Sequence, residues 1–85
     1  MEHKCVLTGT AIVVLDRGFV YVGTVSIEDD WCVITNASNI RVWGTTKGLG
    51  QLRTGKQPNT VTDECGEVLI PKTRLCHLIR ATWKR

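Results

Sequence analysis

No stretch of this chain carries the i, i+3, i+4, i+7 recurrence of apolar residues that a stable helix needs. Val, Ile and Thr gather instead in short runs between glycine-bearing turns. β-Branched residues in such runs predict strands, and Gly, Asp and Asn between them predict tight turns. A layered α/β design is excluded on this ground alone.

Residues 4–7 read as an edge strand and residues 11–15, a continuous apolar run, as a buried one. Asp16-Arg17-Gly18 reads as a turn with Gly18 at positive φ. Residues 19–28 form the longest expected strand. Gly23 sits at its centre, where a missing side chain implies a bend, a bulge or a close backbone contact. Asp29-Asp30 is a hairpin tip and 31–36 the returning strand. Residues 36–39 read as a polar break and 40–43 as a short strand, with Ile40 and Val42 opposite in face to Arg41 and Trp43. Leu49 and Leu52 permit one helical turn over 48–53, too rich in glycine to be stable alone. Residues 58–64 read as loop or irregular strand. A strand at 67–70 is ended by Pro71, which has no N–H to donate. A tight helical turn at 73–75 precedes a last strand at 76–83, with His77, Ile79, Ala81 and Trp83 on one face. Five or six short strands in 85 residues predict a single all-β domain over 1–85. The expected form is a small SH3-like or Sm-like barrel or roll with one short helical turn, and an OB-like barrel is the second choice.

A chain of this mass hides a little over ~60% of its surface on folding, enough for one thin core. Its hydrophobic fraction, 42%, is too high for a disordered chain. No apolar run approaches the ~18 residues of a membrane-spanning helix. The start, Met1-Glu2-His3-Lys4-Cys5, is polar, and the apolar stretch behind it is broken by Thr8, Gly9 and Thr10, unlike a secretory signal. The expectation is a cytosolic protein whose thiols stay reduced. Cys5, Cys32, Cys65 and Cys76 form no CxxC pair and read as inert. A zinc site from His3, Cys5, Cys65, Cys76 and His77 is disfavoured, because neighbouring strand residues such as Cys76 and His77 point to opposite faces. No metal and no cofactor are expected.

Charge is uneven along the chain. Residues 1–40 hold two basic and five acidic side chains, net −3, and residues 41–85 hold nine and three, net +6. A basic region of this kind suits nucleic acid, a nucleotide or an acidic protein, although solvation of exposed strands accounts for it as well. Arg41, Trp43, Lys47, Arg53 and Lys56 are the candidate binding residues. Cations beside an exposed ring can neutralise phosphates while the ring stacks on a base, and Gly44, Gly48, Gly50 and Gly55 let a ligand approach the backbone. The competing reading makes Trp43 core and the cations an exposed flank. Asn36, Asn39 and Thr45 read as ligand contacts or, more simply, as turn chemistry. Trp31 reads as a partial lid at the hairpin tip and Trp83 as packing.

The chain offers little to a catalyst. His3 and His77 lie in no nucleophile elbow, and Asp29/Asp30 and Asp63/Glu64 are carboxylate pairs at turns. The glycines at 44–55 lack the Lys-Ser/Thr ending of a phosphate loop. The chain is therefore read as a non-enzymatic binding protein.

The segment Val33-Ile34-Thr35-Asn36-Ala37-Ser38-Asn39-Ile40-Arg41-Val42-Trp43-Gly44, followed by Lys47-Gly48-Leu49-Gly50-Gln51-Leu52, resembles a group of short proteins encoded by tailed phages. In those, a strand ending in an L-T-N-A type motif leads to an arginine, a tryptophan and a small residue, then to a G-L-x-x-L turn. Glu67-Val68-Leu69-Ile70-Pro71 matches their late strand, and Gly18-Phe19-Val20-Tyr21-Val22-Gly23 the strand before the motif. The group has no established activity, so the resemblance implies a viral origin and a compact β fold, and no catalytic residue carries over. The function expected first is a phage accessory protein in the host cytoplasm that docks on and inhibits a host protein, or that self-assembles into a homo-oligomer. The alternatives are a nucleic-acid-binding barrel using the loop at 41–56, and a nucleotide site at an oligomer interface. No membrane partner is expected.

Overall fold

The computed structural model describes residues 9–83, and the strand expected at 4–7 lies outside them. Five strands make one sheet: β1 (Gly9–Leu15), β2 (Val20–Glu28), β3 (Trp31–Val42), β4 (Val61–Pro71) and β5 (Leu75–Arg80). Every pairing is antiparallel, and the order across the sheet is β4-β3-β2-β1-β5. Four strands thus form a meander, and the fifth returns to lie beside the first. This is the small all-β roll the sequence predicts. The expected helical turns are present as 3-10 helices at Leu49–Thr54 and Lys72–Arg74, with a third at Asp16–Gly18.

The polar stretch at 36–39 is not a break. β3 runs through it for 12 residues and, rather than β2, is the longest strand. The continuity depends on a bulge. Val22 pairs with Ser38 while Thr24 pairs with Thr35, so β3 spends one residue more than β2 over the same span. Asn36 absorbs the extra residue at φ 52°, a conformation asparagine tolerates better than most side chains. β4 carries its own bulge, since Ala37 pairs with Gly66 and Ser38 with Glu64, and Gly66 sits at φ 75°. Of the two readings of 58–64, the irregular strand holds from Val61, where it is continuous with the strand expected at 67–70, and β5 ends earlier than expected, at Arg80.

An extra residue moves every later side chain to the other face. Before the bulge the buried residues of β3 are Cys32 and Ile34; after it Ala37 keeps to their face while Ile40 is buried on the opposite one. β2 bends at the same place. Gly23 is buried, and a Cβ there would lie 2.5 Å from Ile34 Cγ2 and 3.0 Å from the Thr35 carbonyl oxygen. Gly23, Asn36 and Gly66 mark one line across three adjacent strands, along which the sheet bends.

The sheet therefore has a core on each face. One gathers Ile12, Val20, Val22 and Ile40 under Leu49, Leu52, Ala81 and Trp83. The other joins Ala11, Val13, Val25, Cys32, Ile34, Ala37 and Ile70 inside the curl. Even residues of β1 and of β2 serve the first core and odd residues the second, the two-residue period of a strand buried on both sides. A fully buried side chain such as Ile12, Ile34 or Leu52 contributes about 1.5–3 kcal/mol of burial free energy.

Candidate functional site

The loop between β3 and β4 is held as a built element. Leu49 and Leu52, three apart, drive the 3-10 helix onto the first core. Gln51 Oε1 accepts hydrogen bonds from the Thr46 and Lys47 amides, both at 3.0 Å, which gathers the glycine-rich approach around one side chain. Thr60 Oγ1 donates to the Trp43 carbonyl at 2.7 Å and accepts from the Gln57 amide at 2.9 Å, closing the loop at its base. Gly44, at φ 64°, packs so closely on the Asn59 and Thr60 backbone that a side chain there would overlap it. The Thr82 amide donates to the Arg53 carbonyl at 2.8 Å, tying the loop to the end of the chain.

Of the five candidate binding residues, Lys47 and Arg53 line one open groove of about 570 Å³, with Gly50, Gln51, Thr54 and Ile79. Trp43 and Lys56 are exposed but are not among the residues lining it. Trp43 is 41% exposed rather than core. Arg41 is elsewhere: it pairs with Asp63 at 2.6 Å and lines a separate groove with Arg17, Phe19 and Asn39. Asn39 Nδ2 donates to the Val20 carbonyl at 3.2 Å, and Asn36 holds the bulge, so both follow the structural reading.

A surface the sequence reading did not single out lies at the other end of the sheet. Trp31 stands opposite Pro71, and Val33 opposite Leu69, across the β3–β4 pair. Trp31 is 46% and Leu69 54% exposed. Beside this face, Phe19, 55% exposed, lines a groove of about 480 Å³ with Leu69 and Pro71 and with Leu15, Tyr21, Val68 and Ile70 of the second core; Trp31 and Val33 are not among its lining residues. The signal in the sequence is the apolar run at 67–71 beside a proline. A run without alternation does not say which of its residues face outward.

Among the described residues no group of three or more His, Cys, Asp or Glu is placed to hold a metal ion; His3 and Cys5 lie outside them. Cys65 and Cys76 are exposed and Cys32 is buried, where desolvation pushes its thiol pKa up. Among the described residues no helix is long and apolar enough to cross a membrane. Compared with protein-family models, curated proteins and solved structures, the chain matches none.

Proposed function

We propose that the chain is a non-enzymatic protein-docking module whose contact surface is the outer face of β3 and β4, with Trp31 and Leu69 at its centre. The observation that carries this reading is the apolar ladder of directly paired residues Trp31–Pro71 and Val33–Leu69, in which Trp31, Leu69 and Pro71 are exposed and Val33 is half-buried between them. An exposed apolar face built on paired strands is rigid before a partner arrives, which lowers the entropy lost on binding. Tryptophan is among the residues that most often anchor such contacts. Read with the likeness to tailed-phage proteins, the partner is a host protein met in the host cytoplasm and inhibited by the contact.

The test compares wild type with Trp31→Asp and Leu69→Asp as baits in bacterial lysate, each variant first checked for its fold by circular dichroism. A specific protein retained by wild type and lost by about tenfold or more with either variant supports the reading, since an anchor truncation costs at least ~2 kcal/mol. An identical retained set with all three baits overturns it.

The groove holding Lys47 and Arg53 favours a second reading, nucleic-acid or nucleotide binding beside the glycine-rich loop. Its signature is an affinity for single-stranded DNA that falls steeply with salt, as counterion release requires, and that Lys47→Ala and Arg53→Ala both weaken.

A further inference from the structure

Among the described residues, the order β4-β3-β2-β1-β5 leaves β4 and β5 each without a partner on one side, and these two edges are chemically unlike. β4 carries Asp63, Glu64 and Glu67 and no cation, whereas β5 carries His77 and Arg80 and no carboxylate. Asp63 is already paired with Arg41, so Glu64 and Glu67 set the charge of the β4 edge. Both are exposed, as are His77 and Arg80. The bulge at Gly66 divides β4 and leaves a segment at 67–71 whose pairing with β3 over 68–71 is regular, close in length to the six residues of β5. That segment forms one wall of an open groove whose other wall is Leu15, Asp16, Arg17, Phe19, Tyr21 and Arg74 of the same chain, and Glu67 and Leu69 in it are exposed.

We propose that the β4 edge of one copy receives the β5 edge of a second copy, joining two sheets into one. Antiparallel, with Glu67 opposite Arg80, the register also sets Leu69 opposite Leu78. Opposite charges and apolar pairs directly across strands stabilise a sheet, and like charges destabilise it. Charge therefore selects among the three edge pairings. β4 on β4 sets carboxylates against carboxylates, and β5 on β5 sets Arg80 and His77 against their own kind. Only β4 on β5 is complementary. Such a contact is head-to-tail and leaves a free edge of each type, so it propagates to a closed ring or an open filament and does not stop at two. It shares Leu69 with the outer face around Trp31, but Glu67 and Arg80 are not part of that apolar ladder, so reversing their charges tests assembly separately from docking there.

Native mass spectrometry and sedimentation of the full chain, across micromolar concentrations and in rising salt, test the proposal. Wild type is expected as assemblies of more than two chains that loosen with salt. Glu67→Arg alone and Arg80→Glu alone are each expected to lose assembly. Two rescues follow: the double variant restores it by exchanging the charges, and an equimolar mixture of the two single variants restores it as an alternating assembly. Circular dichroism verifies that each variant folds, and if one does not, the other still decides by assembling or failing to assemble. A wild type that stays monomeric overturns the proposal and makes Glu64 and Glu67 guards that keep the edge solvated. A dimer and nothing larger, or assemblies indifferent to either charge reversal, overturns it as well.

Discussion

The two cores share a sheet but are closed in different ways. The first is roofed from outside by a loop and the end of the chain, through Leu49, Leu52, Ala81 and Trp83. The second is closed, among the described residues, by the sheet itself, which bends along Gly23, Asn36 and Gly66 and brings Val68 and Ile70 of β4 into one cluster with Leu75 and Leu78 of β5. One core is closed by what the chain adds, the other by what it omits at Gly23 and by an extra residue in each of β3 and β4. The first should thus be vulnerable to loss of bulk and the second to gain of it.

The strongest test of this contrast is Trp83→Ala. Trp83 is 6% exposed and caps the first core, and removing a buried aromatic of this size costs about 3–5 kcal/mol. The whole domain has only of order 4–13 kcal/mol to lose. Urea denaturation should show a midpoint lowered by a large fraction, and a shift within error would mean the roof is dispensable.

Next in size is Gly23→Val, expected to lower stability by about 1–3 kcal/mol through overpacking against Ile34 and the Thr35 carbonyl. Thermal melting measures it, and an unchanged midpoint would remove the bend line from the account of the second core.

The smallest effect is expected from Gln51→Ala, about 1 kcal/mol for the lost hydrogen bonds to the Thr46 and Lys47 amides. Amide exchange should quicken in the loop and stay unchanged in β1 and β2. Equal acceleration in both regions would show that the two closures are not independent.

Strand identity was legible where turns are marked by Gly or Asp, as at Asp16-Arg17-Gly18 and Asp29-Asp30. The small turn at Leu49–Thr54 was legible too, because two leucines three apart have one simple use. What misled was Asn36. Its preference for positive φ serves a turn and a bulge alike, and only the partner strand tells them apart. The same ambiguity at Gly66, turn or bulge, left 58–64 open between loop and irregular strand. For the site, the loop was visible as a basic, glycine-rich segment. That Arg41 lies apart from Lys47 and Arg53 depends on which carboxylate it meets, Asp63, a contact 22 positions away along the chain. The outer apolar face was obscured because the run at 67–71 does not alternate, so only its pairing with β3 shows that Leu69 and Pro71 face outward beside Val33 and Trp31.

Cys32 turns this architecture into its own clock. The thiol lies fully inside the curled core, and burial raises its pKa, so reactive thiolate is scarce there until the core opens. Cys65 and Cys76, on the surface, react without any opening and provide the reference rate in the same molecule. The ratio of the two labelling rates reads how often the second core breathes, at a site no solvent-facing probe reaches. The shift also carries a sign. Because the folded pKa is raised, the stability tied to Cys32 is complete below the ordinary thiol range and is lost as pH rises through the elevated value, so alkali should speed the clock twice, by ionising the thiol and by loosening the fold around it.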